Sequence, residues 1–255
     1  MASNGLIANP SKTSLLILNN KNREENQIKI KIGKAIVTQE ASAKLLGMTF
    51  NEKQEWSTHI FGKGGLISSL NSRIYMIRRL KNHLNKDALS KIIDGLFTSK
   101  LRYGLQLLGK VRRNEEDALN ATLAAVQRVQ NNLVRMINGC KISDKVSIKS
   151  LLTKSNMLSI NQLNAQIKLT EMWKAVHFTN YPIDIPRKST IDNAMNTRAC
   201  TEGRLVESGL KPLTQRTFIY DATRLWNTAP SEITNAKSLD VAKSEIKKFV
   251  KTLPI

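Results

Sequence analysis

The sequence predicts an α+β fold that is mainly α: a small β-hairpin region, then a helical bundle, then a helical C-terminal extension. Three observations carry this. Residues 28–37, IKIKIGKAIV, alternate apolar and polar side chains with the period of a strand. After Trp56 the period changes, and Leu66, Leu70, Ile74, Ile77, Leu80 and Leu84 recur every three or four residues as on one helix face. Finally, 255 residues with 41% hydrophobic content suffice for a real core.

The first element predicted is an inner strand over the continuous apolar run Leu15 to Leu18, entered through the turn at Asn9-Pro10. The second is a hairpin, with Ile28, Ile30 and Ile32 on one face, a Gly33-Lys34 turn, and Ala35, Ile36 and Val37 returning. Together they make a sheet of at least three strands, which is marginal alone. The expectation follows that the chain opens inside a larger domain whose first part is missing.

The first helix carries the Leu66 to Leu84 stripe, with Arg78 and Arg79 off the stripe. Arg73 falls on it and is expected to snorkel. A second helix is predicted from Asp87 to about Leu108, with Leu89, Ile92, Ile93, Leu96, Phe97, Leu101 and Leu108 inward. A third begins at Asn114 as N-cap, with Glu115, Glu116 and Asp117 in its positively polarised first turn. It runs inward through Leu119, Leu123, Val126, Val129, Leu133, Met136 and Ile137, with Arg135 in the last turn before Gly139. Short connections between three such helices suggest a bundle. A fourth helix is predicted over about Ser159 to Phe178, apolar nearly all round in its second half. Residues 181–212 contain Pro182 and Pro186 and read as a linker, and order resumes with Phe218 to Trp226 and an amphipathic segment ending near Lys251.

Charge narrows the function. Forty Lys and Arg against twenty Asp and Glu leave +20, a self-repelling excess that polyanions relieve. Between Ser57 and Asn114 twelve basic residues meet only Asp87 and Asp94, a local +10. Ordinary solvated helix faces mix signs to gain i,i+4 pairs; this one hardly does. The expected phosphate-contacting set is Lys63, Arg73, Arg78, Arg79, Lys81, Lys100, Arg102, Lys110, Arg112 and Arg113. No window approaches the roughly 18 apolar residues of a membrane span, and no signal peptide is legible. Cys140 and Cys200 match neither a disulfide framework nor a zinc pattern. The expectation is a reduced intracellular protein, in cytoplasm or nucleus, without a structural metal or membrane partner.

Catalytic motifs do not emerge. Gly62-Lys63-Gly64-Gly65 lacks the phosphate-loop spacing and reads as a hinge. His59, His83 and His177 have no partners at metal or triad spacing. Two-metal phosphoryl transfer needs converging carboxylates, whereas Glu115, Glu116 and Asp117 are consecutive and, on a helix, point apart. Nothing in the residues supports a self-sufficient active site.

Six stretches in order, "NGLIANPSKT", "LLGMTFNEKQEWSTHI", "LRYGLQLLG", "VQRVQNNLVRMINGC", "NMLSINQL" and "RLWNTAPSEI", resemble the C-terminal half of reverse transcriptases from LINE-like (non-LTR) retrotransposons, the Jockey-like branches in particular. The resemblance implies the end of a palm over 1–56, a helical thumb over 57–140, an extension over 141–180, the linker over 181–212 and a helical segment over 213–255. It places Lys12 where the family has a palm lysine proposed to assist pyrophosphate departure, and Leu46-Gly47 where a turn grips the primer end. It implies that the thumb clasps an RNA template or template–primer hybrid through its backbone. The departures are equally specific. The family's adjacent aspartates for magnesium lie upstream of this portion, and no Asp-Asp pair occurs in the chain. Leu107-Leu108 and Ala229 stand where the family often has tryptophan and leucine. The implied chain is a truncated reverse-transcriptase-like protein that binds nucleic acid, holds no cofactor, and does not polymerise by itself. The alternative is a free-standing basic RNA- or DNA-binding helical protein with a structural role.

Overall fold

A computed structural model describes residues 9–18, 28–117, 120–182, 204–206 and 218–255. Among these the architecture is α+β and mainly α, with two two-stranded antiparallel hairpins followed by helices. The chain divides into two compact units, Met1–Ser69 and Leu70–Ile255.

In the first unit, β1 (Lys29–Ile32) pairs with β2 (Ala35–Thr38) in the register Lys29 to Thr38 and Ile32 to Ala35. Gly33 takes φ +60 at the predicted turn. A second hairpin joins β3 (Ser42–Leu45) to β4 (Met48–Asn51). Its turn is Leu46-Gly47, with φ +48 and +82; two left-handed residues in succession give the turn whose twist matches paired strands. Phe50 meets Trp56 edge-on at 5.3 Å, and the Thr49 amide donates to His59 Nδ1 at 3.3 Å. His59 is thereby a packing residue, beside the fully buried Ile60 of α1 (Ser57–Phe61).

The predicted inner strand is corrected. Leu15 makes a single parallel bridge to Gln39, with the Glu40 amide donating to the Leu15 carbonyl at 2.8 Å. Leu18 is half exposed. An unbroken apolar run needs cover on both faces to persist as a strand, and the described residues meet it at one point. The two hairpins form separate sheets, not one of three strands.

The helix α2 (Leu66–Leu80) follows the predicted stripe, with Leu66, Leu70, Ile74 and Ile77 buried, but Leu80 is exposed and the helix tightens into a 3₁₀ turn over Lys81–His83. The predicted second helix is interrupted. It consists of α3 (Lys86–Ile93), a π turn over Asp94–Thr98 and α4 (Ser99–Arg102), and it stops at Tyr103 because Gly104 adopts φ +73. The wider π turn keeps Phe97 and Leu101 both fully buried. The third helix, α5 (Ala121–Ile137), starts later than predicted, capped by Asn120, whose side chain accepts from the Thr122 amide at 2.8 Å. Asn114 instead accepts from the Asp117 amide at 3.0 Å in a turn before the helix, and Leu119 lies outside the described residues. A short helix that periodicity did not mark, α6 (Ile148–Lys154), packs Leu151 and Leu152 against Val134.

The centre of the second unit is α7 (Ile160–His177), the predicted fourth helix, whose N-terminus is closed by a Ser159–Gln162 capping box. Its apolar side, Ala165, Leu169, Met172 and Trp173, joins Ala222, Leu225 and Trp226 of α8 (Phe218–Asn227) and Ala242, Ile246 and Val250 of α10 (Leu239–Val250) in one core; the short α9 (Ser231–Thr234) adds Ile233. Most of the predicted linker lies outside the described residues. Within it, Leu205 is buried in this core, and the Asn227 amide group both accepts from its N–H (3.0 Å) and donates to its carbonyl (3.1 Å).

The other side of α7 is polar yet buried. Asn161 accepts from the Arg112 amide at 2.7 Å and donates to the carbonyls of Arg112 and Pro254, each at 2.9 Å. Gln162 donates to the Leu253 carbonyl at 3.2 Å and Asn164 to that of Gly109 at 3.0 Å. These amides satisfy an extended segment, 109–113, and the chain end 253–255, which have no ladder of their own.

Candidate nucleic-acid interface

The C-terminus of α5 determines the local geometry. Gly139 at φ +69 turns the chain back; the Cys140 amide donates to the Arg135 carbonyl and the Gly139 amide to that of Met136, a Schellman closure. The Lys81 ammonium donates to the Met136 carbonyl at 3.1 Å, placing a cation at the negative helix end. The returning segment, 139–143, then lines a groove together with Asn71, Tyr75, Arg78 and Asn82 from α2 and the turn beyond it. The groove has a volume of about 920 Å³. Four charged side chains line it, Arg78, Lys81, Arg135 and Lys141, and all are cationic.

The expected phosphate-contacting residues separate into several places. Arg78 and Lys81 line the groove; Arg79 is exposed but outside its lining. Arg73 is half-buried on α2. Arg102 donates to Gln166 Oε1 of α7 at 2.8 Å, and Lys100 lies 6.0 Å from the Tyr103 ring centre. Lys110 and Arg224 both approach the Tyr220 ring, at 5.9 and 5.5 Å. Arg112 is a structural clamp: its guanidinium donates to the carbonyls of Asp117 (2.6 Å), Ile255 (3.0 Å) and Glu115 (3.0 Å), and to the Glu115 carboxylate (3.3 Å). The neighbouring Arg113 donates its backbone amide to the Asp117 carboxylate at 2.9 Å. Lys12, on a 3₁₀ turn over Pro10–Lys12, the loop residue Lys63 and the Leu46-Gly47 turn all belong to the first unit.

Two groove cations escaped the sequence reading. Arg135 reads as a helix-dipole residue, and Lys141 lies beyond the predicted bundle. The signal that could have joined them to Arg78 was Gly139, which marks the point where the chain folds back.

Among the described residues, the most buried charge lies elsewhere. Lys168 is 1% exposed, and its ammonium pairs with Asp221 at 2.7 Å and donates to the Gly109 carbonyl at 2.7 Å. The same Asp221 oxygen accepts from the Val111 amide at 2.9 Å. Burial holds the Lys168 ammonium below its ordinary value of 10.5, an effect the Asp221 carboxylate opposes. This pair stitches α7 to α8 and to the 109–113 segment.

Among the described residues no group of three or more His, Cys, Asp or Glu is placed to hold a metal ion. Asp117 caps the Arg113 amide and Asp221 is taken by Lys168. No family model, curated protein or solved structure matches the chain.

Proposed function

We propose that this protein is a reverse-transcriptase-like chain of the LINE-like type that binds an RNA template or template–primer through phosphate contacts in the groove between α2 and the end of α5. One observation carries the reading: four cations from two helices and a returning loop line one groove, with no acidic side chain among its lining residues. A merely solvated surface would place opposite charges among them. The six-stretch resemblance supplies the class of partner.

The test is a binding series with labelled RNA. Arg78→Glu, inside the groove, weakens binding to every sequence about equally, because phosphate contacts carry no sequence information. Arg79→Glu, one residue away but outside the lining, weakens it far less. Equal effects of the two variants, or a loss confined to one sequence, refute the reading.

A second reading, a free-standing RNA- or DNA-binding helical protein, is favoured by the groove's lying wholly within the unit Leu70–Ile255. Polarity separates the two. A hybrid with a recessed 3′ end binds more tightly than one with a recessed 5′ end and equal overhang if the chain is reverse-transcriptase-like. The two bind alike if it is free-standing.

A further inference from the structure

Resting on that reading of the groove, we propose that its occupant is an unpaired polynucleotide strand, with one base stacked on the ring of Tyr75. Tyr75 lines the groove and yet is 60% exposed. It lies three residues before Arg78 and four after Asn71, so all three share one face of α2. An aromatic face beside a cationic track is how strands are held without base pairing: the ring takes a base, the cations take the flanking phosphates. Ile142, in the returning loop, adds a second exposed apolar side chain to the lining, at 75%.

A duplex would leave this arrangement unused. Its bases are stacked on one another, and it offers a protein its phosphate ridges and groove edges, so Tyr75 would find no ring to cover. A single strand satisfies both halves of the lining. The volume, about 920 Å³, is near the top of the roughly 300–1,000 Å³ range that encloses a drug-sized ligand, room for a short stretch of strand.

The experiment compares a short, unstructured, fluorescein-labelled RNA, free and annealed to its complement, against the whole protein. Tyr75→Ala weakens binding of the free strand by about 5- to 160-fold, the equivalent of about 1–3 kcal/mol for one stacked base, and leaves the annealed form unchanged. Tyr75→Phe keeps the ring and restores the affinity. Removing one base from the strand at the stacked position weakens binding similarly, and combining this with Tyr75→Ala adds little further loss. If Tyr75→Ala changes nothing while Arg78→Glu abolishes binding, stacking is refuted and the phosphate interface survives. If the wild-type chain binds neither form, the interface reading fails as well. Equal losses for strand and duplex also overturn the proposal.

Discussion

Salt dependence measures how many cations the groove commits. Each phosphate neutralised releases counterions, and for a single strand log K falls against log salt with a slope of about −0.7 per contact. Four lining cations therefore give a slope of about −2.8, and a rise from 50 to 200 mM salt costs roughly 50-fold in affinity. If all ten basic residues expected from the sequence made contact, the slope would be near −7 and the loss roughly 10⁴-fold. The assay is fluorescence anisotropy of labelled RNA across that salt range. Single substitutions then assign the contacts. Arg78→Ala, Arg135→Ala and Lys141→Ala each flatten the slope by about 0.7, whereas Lys100→Ala, whose cation lies by the Tyr103 ring, leaves it unchanged. A wild-type slope near −7, or equal flattening by Lys100→Ala and Arg135→Ala, refutes the groove as the site.

Two further predictions concern the buried and capping carboxylates of the second unit. Asp221→Asn removes the carboxylate from a lysine that is 1% exposed and costs about 3–5 kcal/mol, while adding Lys168→Met to Asp221→Asn recovers part of it, since the uncompensated charge is gone and the Asn oxygen can still accept from the Val111 amide; urea unfolding followed by Trp173 and Trp226 fluorescence in a Trp56→Phe background measures both. The folded-state pKa of Lys168 is lowered, and losing the Asp221 carboxylate that opposes this lowers it further. The unfolded chain binds more protons between the lowered value and 10.5, a wider window in the variant, so the Asp221→Asn deficit shrinks as pH rises through that window toward 10.5; a pH-independent deficit there would contradict the buried-charge origin. Asp117 is held below its ordinary 3.8, first by the Arg113 amide and further by the Arg113 charge, against a desolvation effect that opposes them. Its contribution is therefore complete above about pH 3.8 and is lost as pH falls through the lowered value; a carboxyl-carbon NMR titration with a midpoint at or above 3.8 would overturn this.

How far the sequence showed all this depends on the physical range of each signal. Hairpin chemistry is local, and Gly33-Lys34 marked its turn correctly. The α2 stripe is visible because burial repeats with the helical period, and the second half of α7 because it is apolar nearly all round. Asn114 has the signature of a cap, a good capping residue before three acids, but the 109–113 segment is held by Asn161 and Asn164 from some fifty residues away. No local rule reports that competition. The polar side of α7 was hidden for the same reason: Asn161, Gln162, Asn164 and Lys168 are types usually exposed, and they are buried because backbone from two distant segments needs their hydrogen bonds.

The same division explains why a charge count from composition does not say where each cation is engaged. A basic residue counts +1 wherever it stands, yet Arg112 and Lys168 are spent satisfying carbonyls and carboxylates inside the fold. A cation so engaged has little left for a phosphate, since breaking those bonds would leave buried acceptors unpaired. The groove cations are anchored differently. Lys81 uses one of its three donors on the Met136 carbonyl, and Arg135 reaches the Lys141 carbonyl at 3.4 Å with one guanidinium nitrogen, which leaves further donors on each. These bonds to the α5 terminus and its returning loop hold the two heads at the groove, so on the reading proposed above less side-chain entropy is lost on binding. The features that close the helix, Gly139 and the Lys81 contact, are thus also what pre-forms the cationic track.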